Sequence, residues 1–166
     1  MTVTIVLVVA LLATITKMKK VMVGMSGGID SSITAYMLQE EGYEVEGCYL
    51  KLHNRNDGYH EKNLSYIKDV AEFLNIKYHV LDLADDFTKE VYDYFVDSYL
   101  EGTTPNPCVK CNRQIKFGAM LDFAKSHGAD FLATGHYAKT DGKFFYEADD
   151  KTKDQSYFLS QVSPEA

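Results

Sequence analysis

The apolar positions of the chain follow two alternating patterns. Short apolar runs at residues 21–25, 43–52, 77–83 and 130–138 predict four strands. Between them, apolar residues recur every three or four positions, which predicts helices from residue 31 to the glycine at 42, over about 64–74, over about 86–100, and from about 112 to the glycine at 128. This alternation predicts an α/β fold with a doubly wound, Rossmann-like parallel sheet, whose ligands bind beyond the carboxyl ends of the strands.

The same periodicity predicts the core. The aromatic residues of the third helix are expected to lie in the core, and Cys48 is expected to pack as a small apolar residue of the second strand. A small hairpin is expected at 139–148, turning at Asp141-Gly142. The first helix is expected to bury four residues: Ile33, Ala35, Tyr36 and Met37.

Residues 3–15 form an almost unbroken apolar run, interrupted only by Thr4 and Thr14. The run is too short to span a bilayer comfortably as a helix, and no positive residues precede it as they would in a secretory signal. Residues 1–17 are therefore interpreted either as sequence upstream of a natural start at Met18 or as a weak membrane anchor, and stable membrane association is not expected. The folded domain is expected to cover residues 18–162.

Length and charge limit the classes of function. The 166 residues suffice for one α/β domain with a sizeable core. The formal net charge of −7 argues against a general nucleic-acid coat, so any nucleic-acid contact is expected to be local. Three cysteines are too few for a disulfide framework, which favours a reducing, cytoplasmic location.

A glycine-rich and serine-rich stretch lies between the first strand and the first helix. Adjacent glycines allow close approach of a ligand, while serine hydroxyls and helix N–H groups can donate to an anion. The stretch fits neither the Walker nor the dinucleotide template, and it carries Asp30, which can reach phosphate oxygens through Mg²⁺. The alternative is a glycine-rich turn capped by serines. We predict a nucleotide site formed by Gly24, Met25, Ser26, Gly27, Gly28, Ile29, Asp30 and Ser31.

A loop with two prolines, residues 103–112, carries Cys108 and Cys111. Cys111 is expected at the start of a helix, where the helix dipole together with Lys110 and Arg113 would lower the pKa of the thiol, so a catalytic thiol is favoured. Structural zinc or an iron–sulfur cluster would need ligands beyond this pair, and no metal is predicted apart from Mg²⁺ bound with the nucleotide. A thioredoxin-like dithiol fits less well, because the prolines precede the pair.

Four motifs follow one another along the chain: Gly-Met-Ser-Gly-Gly-Ile-Asp-Ser, Thr-Pro-Asn-Pro-Cys-Val-Lys-Cys-Asn, Ala-Thr-Gly-His-Tyr and Lys-Asp-Gln-Ser-Tyr-Phe-Leu. The first resembles the pyrophosphate loop (PP-loop) of ATP pyrophosphatases, and together they resemble the tRNA-specific 2-thiouridylases over residues 19–162. The resemblance implies a PP-loop domain of the adenine nucleotide alpha hydrolase type, which binds ATP with Mg²⁺ and uses Leu50 and Gly135 in the adenosine pocket. Alternatively, Gly135-His136 is only a strand end whose histidine makes a structural hydrogen bond.

The resemblance also implies roles for the second and fourth motifs. Cys111 matches the nucleophilic cysteine of the family, with Cys108 as a candidate assistant. Taken alone, the fourth motif would be an ordinary solvated turn. The residues implied to contact the target base are Asn106, Pro107 and Cys108, and those implied to contact tRNA elsewhere are Lys153, Asp154 and Gln155.

Members of this family adenylate the wobble uridine of tRNA with ATP, releasing pyrophosphate and AMP, and transfer sulfur to its C2 position from a persulfide supplied by a sulfur-relay protein. Their second cysteine and their central and C-terminal tRNA-binding domains would lie beyond residue 166, so the chain alone is expected to bind ATP without completing thiolation. Two alternatives stay open. One is another PP-loop ATP pyrophosphatase with a different substrate, and the other is a non-catalytic ATP-binding module.

Overall fold

The computed structural model describes residues 18–163, so the apolar run at 3–15 and its two interpretations lie outside the described residues. The strands are β1 (Lys20–Gly24), β2 (Glu44–Lys51), β3 (Lys77–Asp82), β4 (Phe131–Ala133), β5 (Lys139–Thr140) and β6 (Phe145–Tyr146). The helices are α1 (Ile29–Glu40), α2 (Tyr59–Leu74), α3 (Ala84–Phe87), α4 (Asp93–Leu100), α5 (Pro107–Cys111) and α6 (Met120–Ser126). Two π segments, Thr88–Tyr92 and Asn112–Ala119, connect α3 to α4 and α5 to α6, and a 3-10 helix covers Ser156–Leu159.

Four parallel strands form the central sheet in the order β3-β2-β1-β4. The chain moves outward from β1 to β3 and then crosses to the other side of β1 to add β4. The order therefore reverses between β1 and β4, and a crevice for ligands is expected at the carboxyl ends of these two strands. The predicted doubly wound parallel α/β fold is confirmed.

Helices cover both faces of the sheet, as strands buried on two sides require. One face packs against α1 and α2 through Val21, Val23, Ala35, Leu38 and Ile67. The other face packs against α6 through Met22, Cys48, Met120 and Ala124. Cys48 is fully buried, and burial raises the pKa of its thiol to about 12, so it packs as the predicted small apolar residue.

The predicted burial of α1 is partly wrong. Ala35 is buried as predicted, but Ile33 and Tyr36 are each 43% exposed. The buried stripe runs instead through Ser31, Thr34, Ala35 and Leu38, which recur at helical spacing. Thr34 tolerates burial because its hydroxyl donates to the carbonyl of Asp30 at 2.8 Å, so two hydroxyl residues belong to a buried face that was predicted to be apolar.

The predicted burial of the aromatic residues between 84 and 100 is also partly wrong, because Phe87 packs against the core but most of the others are exposed. Val91 and Ser98 face the interior, whereas Tyr92 and Tyr99 are more than half exposed. The prediction counted aromatic side chains as apolar without regard to the face of the helix on which they lie. A smaller cluster of Leu83, Val91 and Ile115 forms the interior at this end of the molecule.

Two further boundaries differ from the sequence predictions. β4 ends at Ala133, five residues earlier than predicted, and the remainder of the expected strand forms a loop. The helix expected from Asn112 begins at Pro107, because Asn106 caps it and proline suits the first helical position. The hairpin at 139–148 is confirmed by the antiparallel pairing of β5 with β6. Within residues 18–163, none of the helices combines the length and apolar character needed to cross a bilayer.

Glu46 joins three strands at the edge of the sheet opposite the carboxyl ends. Its carboxylate accepts from Lys20 of β1 and from His79 of β3, each at 2.8 Å. Burial raises the pKa of this carboxyl, but the hydrogen bonds and positive charges of Lys20 and His79 outweigh burial and hold the pKa below its ordinary value. The charged form of Glu46 therefore contributes to stability.

We expect Glu46→Gln to lower the free energy of unfolding at pH 7 by about 1–3 kcal/mol, because it removes the charge from two buried hydrogen bonds. Since the folded-state pKa lies below the unfolded value of 4.5, this contribution is present above that pH and disappears as the pH falls through the folded-state pKa. Urea unfolding of both proteins as a function of pH measures the difference.

Glu44→Gln is the matched control. Glu44 lies two residues away, half exposed and 3.9 Å from the same lysine, so its loss should cost less than about 1 kcal/mol. Equal losses for the two variants, or a loss for Glu46→Gln that does not diminish in acid, would contradict the assignment.

Candidate active site

The loop between β1 and α1 is shaped by its own serines. The hydroxyls of Ser31 and Ser32 donate to the carbonyl of Gly28 at 3.1 and 3.0 Å, and the backbone N–H of Ser26 donates to the Ser31 hydroxyl at 3.2 Å. The hydroxyls that were predicted to donate to an anion thus bind the loop itself. They fix its backbone, whose N–H groups at the start of α1 have no partners within the helix.

Gly27 allows the backbone to close against α2. It has a φ of +81°, and a Cβ there would lie 3.1 Å from the carbonyl oxygen of Asn63. A larger residue would therefore be strained by both its backbone and its neighbour. Glycine at this position and the exposed first turn of α1 give the space and the donors that a polyphosphate needs, so the residues present fit ATP.

The first residues of the predicted nucleotide loop belong to the sheet and the core. Gly24 ends β1, and Met25 is buried, with its N–H donating to the carbonyl of Cys48 at 2.8 Å. Ile29 and Asp30 open α1 and are exposed. Leu50 lies two residues beyond the partner of Gly24 on β2, partly buried at the carboxyl edge of the sheet. A groove of about 370 Å³ beside the loop is lined by Gly27, Gly28, Ile29, Ser32, Ile33, Tyr66, Asp69 and Val70.

The two cysteines of the proline loop lie on α5. The side chain of Asn106 accepts from the N–H of Val109 at 3.1 Å and so caps the helix. Cys108 is exposed in the first turn, whereas Cys111 is the last residue of α5 and continues directly into the π segment. The capping asparagine and the proline place the helix start before both cysteines.

The predicted reason for an activated Cys111 is therefore wrong. Cys111 does not open a helix, and Lys110 points away, with its ammonium 3.8 Å from the carboxylate of Glu90 and 5.5 Å from the centre of the Tyr94 ring. Burial raises the pKa of the Cys111 thiol, Lys116 acts in the opposite direction, and neighbouring Cys108 adds to the rise.

Both cysteines face a cavity of about 380 Å³, which we call the thiol cavity. It is lined by residues from six segments of the chain: α3, the π segment after it, α5, the π segment after that helix, the loop after β4, and the 3-10 helix with the residue before it. Its lining residues are Phe87, Val91, Pro107, Cys108, Cys111, Asn112, Lys116, His136, Gln155 and Phe158. Three predicted site residues, Pro107, Cys108 and Gln155, are thus brought together with Cys111.

Asn112 and His136 form a defined polar network at the cavity wall. The amide nitrogen of Asn112 donates to the carbonyl of Phe158 at 2.9 Å, so its oxygen accepts from Nε2–H of His136 at 3.2 Å. The Thr134 hydroxyl then donates to Nδ1 at 2.7 Å, which completes a neutral histidine. Burial and the nearby charge of Lys116 lower the pKa of His136 to about 4, which agrees with this assignment.

The loop after β4 joins the nucleotide loop to the thiol cavity. A Cβ on Gly135 would lie 3.6 Å from the Cβ of Asp30 and from the backbone nitrogen of Ser31. The next residue, His136, lines the thiol cavity. Two adjacent residues therefore contact the two predicted sites, which lie beyond the carboxyl ends of β1 and β4 where the strand order reverses.

The Lys153-Asp154-Gln155 segment is attached to this loop. Gln155 and Tyr137 exchange two hydrogen bonds, through the Gln155 side-chain oxygen at 3.0 Å and its backbone N–H at 2.8 Å. Asp154 accepts from the N–H of Ala148 at 2.7 Å and from the Ser156 hydroxyl at 2.8 Å. Lys153, with its ammonium 5.1 Å from the centre of the Tyr137 ring, is exposed. Lys153 is therefore the residue of this segment whose polar group is free to contact a ligand, whereas the side chains of Asp154 and Gln155 already bind the chain itself.

Sequence reasoning missed Lys116 and Asn112. Both lie in the π segment Asn112–Ala119, whose hydrogen bonds connect residues five apart. A count based on the α-helical repeat does not bring residue 116 to the same face as Cys111. One signal in the sequence could have identified Asn112. It is a polar residue at a position where the helix is buried, and a buried amide needs hydrogen-bonding partners. Within residues 18–163, no three His, Cys, Asp or Glu side chains are placed to hold a metal ion.

The family model described as the tRNA methyl transferase HUP domain matches residues 19–166. The chain is 88% identical over 148 residues to tRNA-specific 2-thiouridylase MnmA 1 of Aliarcobacter butzleri, and 61% identical over 147 residues to the MnmA of Sulfurimonas denitrificans. Each alignment covers 89% of this chain and 43% of the relative, so the chain spans less than half the length of these relatives.

Among solved structures, the chain is similar to the U34-tRNA thiolase NcsA from Methanococcus maripaludis, determined with its [4Fe-4S] cluster, with a TM-score of 0.51 and 25% identity. That match covers 71% of this chain and 38% of the thiolase. The resemblance to tRNA-specific 2-thiouridylases inferred from the four motifs is confirmed, and the chain belongs to the tRNA methyl transferase HUP domain family.

Proposed function

We propose that this chain provides the ATP site and the reactive thiol of a tRNA 2-thiouridylase, an enzyme that transfers sulfur to C2 of the wobble uridine in tRNA. One observation carries the proposal: Gly135 contacts the nucleotide loop and His136 lines the thiol cavity. A uridine bound between them would have its O2 facing ATP and its C2 accessible to sulfur. The identity to 2-thiouridylases over 89% of this chain supports the same assignment.

Oxygen bound to C2 of uridine is a poor leaving group, so the reaction needs ATP. In the proposed reaction O2 attacks the α-phosphorus and pyrophosphate leaves. The outer sulfur of a persulfide on the second cysteine then attacks C2 and AMP leaves. The Cys111 thiolate attacks the inner sulfur of that persulfide, so the S–S bond breaks, the sulfur stays on C2, and Cys111 forms a disulfide with the second cysteine. The backbone N–H groups at the start of α1 bind the polyphosphate. Asp30, exposed at the same helix end, would hold Mg²⁺, which would supply positive charge to the phosphates. Leu50 and Gly135 border the adenosine.

Cys111 is the proposed nucleophile, and Cys108 its assistant, because both thiols line the cavity beside His136. The exposed Cys108 is the first of the two that a tRNA base or a donor protein would meet. Asn106 uses its side-chain oxygen to cap α5, so it contributes to base recognition through its amide nitrogen. Pro107 and Cys108 provide the adjoining surface of the cavity.

Lys153, Asp154 and Gln155 are proposed to act on tRNA unequally. Lys153 is exposed and offers its charge to a phosphate, whereas the polar atoms of Asp154 and Gln155 bind the chain itself and position the loop after β4. A contact through Lys153 agrees with the local nucleic-acid contact expected of a chain with a formal net charge of −7.

The proposed partners are tRNA and a sulfur-relay protein that delivers persulfide sulfur, in a reducing cytoplasm where free thiols persist. We propose that the 166-residue chain alone binds ATP but does not complete thiolation. The 43% coverage of its relatives supports this.

ATP binding without pyrophosphate release at any substrate would favour a plain ATP-binding module, and release that depends on a substrate other than tRNA would favour another PP-loop enzyme.

Asp30→Asn tests the nucleotide site. We expect it to weaken ATP binding to the chain about tenfold or more when Mg²⁺ is present, because a charged contact worth about 1.5–3 kcal/mol is lost, and to change it little in EDTA. Isothermal titration calorimetry with and without Mg²⁺ measures both affinities.

Asp69→Asn is the control for this test. Asp69 is an exposed carboxylate on the groove beside the same loop, so its loss should leave the ATP affinity unchanged. If both variants weaken binding equally, or if Asp30→Asn acts equally in EDTA, Asp30 does not hold the metal.

Cys111→Ser tests the thiol. Introduced into the complete enzyme, it should abolish formation of 2-thiouridine, measured by mass spectrometry of digested tRNA, while ATP affinity stays within about twofold of the unmodified protein, because Cys111 lies in the thiol cavity rather than the nucleotide loop.

Cys108→Ser in the same assay separates the two thiols. As an assistant, Cys108 is not essential, so this variant should slow thiolation without abolishing it.

Full activity of Cys111→Ser, or loss of ATP binding in that variant, would overturn the assignment of Cys111 as the nucleophile. Efficient repeated thiolation by the 166-residue chain alone, given ATP, Mg²⁺, a sulfur donor and unmodified tRNA, would show that the chain is competent without further domains.

A further inference from the structure

Lys116 is the only lysine or arginine among the described residues that line the thiol cavity. Arg113 is exposed, and Lys110, although it precedes Cys111, pairs with Glu90. Lys116 takes part in none of the ion pairs found within residues 18–163, so no carboxylate there neutralises it. Its charge is available to the groups of the cavity.

The π segment brings Lys116 to the cysteine. Lys116 lies five positions after Cys111. In an α-helix, two residues five positions apart are rotated by about 140° around the helix axis. The wider π turn, with hydrogen bonds between residues five apart, returns them to the same side. Both side chains line one cavity, together with Asn112.

The neighbour of Lys116 in the cavity cannot take up its charge. The ammonium lies 3.4 Å from Nε2 of His136, but that nitrogen already donates to Asn112, as its amide orientation requires. The ammonium of Lys116 and the Nε2–H of His136 are both donors, so they form no hydrogen bond with each other. His136 stays neutral because its burial and the charge of Lys116 lower its pKa. An anion in the cavity is the partner that Lys116 lacks.

Cys111 supplies that anion when its thiol ionises. The other titratable groups around it are Cys108 on its own helix and His136 from the loop after β4. Glu90, on the π segment that packs against α5, is already paired with Lys110. Asp154, next to the 3-10 helix, accepts from Ala148 and Ser156. Lys116 is thus the one unpaired cation facing Cys111 from these elements, and its charge opposes the burial of the thiol.

We propose that Lys116 is a positioning residue for the reaction proposed above: its unpaired ammonium stabilises the anionic sulfur of Cys111 in the thiol cavity. It acts through charge, so arginine can replace it but a neutral side chain of similar length cannot. The inference rests on the proposed role of Cys111 as nucleophile. It concerns a property of the thiol that exists without ATP or tRNA.

The test measures the thiol directly. The rate of alkylation of Cys111 by iodoacetamide is followed as a function of pH by mass spectrometry of its peptide, in the 166-residue chain with Cys108→Ser. Lys116→Met should raise the apparent pKa of Cys111 by about one unit and slow alkylation about tenfold at neutral pH, the effect expected when a nearby opposite charge is lost. Lys116→Arg should restore most of the rate.

Lys110→Met is the matched control, since it removes a cation adjacent to Cys111 in sequence but directed at Glu90, and it should leave the apparent pKa unchanged. Lys116→Gln replaces the Met variant if circular dichroism shows that the latter does not fold. An unchanged apparent pKa in the neutral variants, or equal shifts for positions 110 and 116, would overturn the proposal. Because the assay needs no tRNA, a failure of Cys111→Ser to abolish thiolation would contradict the proposed function and leave this result standing.

Discussion

The arrangement of the thiol cavity depends on one buried carboxamide. Asn112 is 3% exposed, and its two polar ends bind the Phe158 carbonyl and the His136 ring, so one side chain connects the π segment, the loop after β4 and the 3-10 helix. A buried amide without partners is costly, which means that these three segments are held in place together. The same bond fixes which nitrogen of His136 carries the proton, so the ring nitrogen beside Lys116 is not an acceptor.

The sheet places this network next to the nucleotide loop. Strand order β3-β2-β1-β4 makes β1 and β4 neighbours although more than 100 residues separate them, and both end at the same edge. The short β4 releases the chain at Thr134, in time for Gly135 to contact the loop and for His136 to turn into the thiol cavity. A longer strand, as the apolar pattern predicted, would have kept these residues within the sheet.

The sequence predicted the structure correctly where a local pattern of residue types is enough to determine the backbone. The double glycine after an apolar strand predicted the turn from β1 into α1, and alternation of the two periods predicted the parallel sheet. Prediction failed where geometry depends on several segments at once. The hydroxyls of Thr34 and Ser31 are buried because neighbouring carbonyls accept from them, and the pairing of Lys110 with Glu90 depends on how α5 packs against the first π segment. A 3.6-residue count gives the spacing of the buried stripe of α1 but not which residues form it.

The π segment Asn112–Ala119 limits how many residues the chain can have between α5 and α6. The backbone there is close-packed, since a Cβ on Gly118 would lie 3.0 Å from the carbonyl of Arg113. Deleting one residue between Cys111 and Met120 would either narrow a π turn to an α turn, which changes how Lys116 lies relative to Cys111, or rotate the cysteine by about 100° relative to the residues that anchor α6 to the sheet. Substitutions on the outer surface of this helix leave its register intact, whereas insertions and deletions do not. Homologous proteins that keep the cavity should therefore vary in composition here and stay constant in residue count.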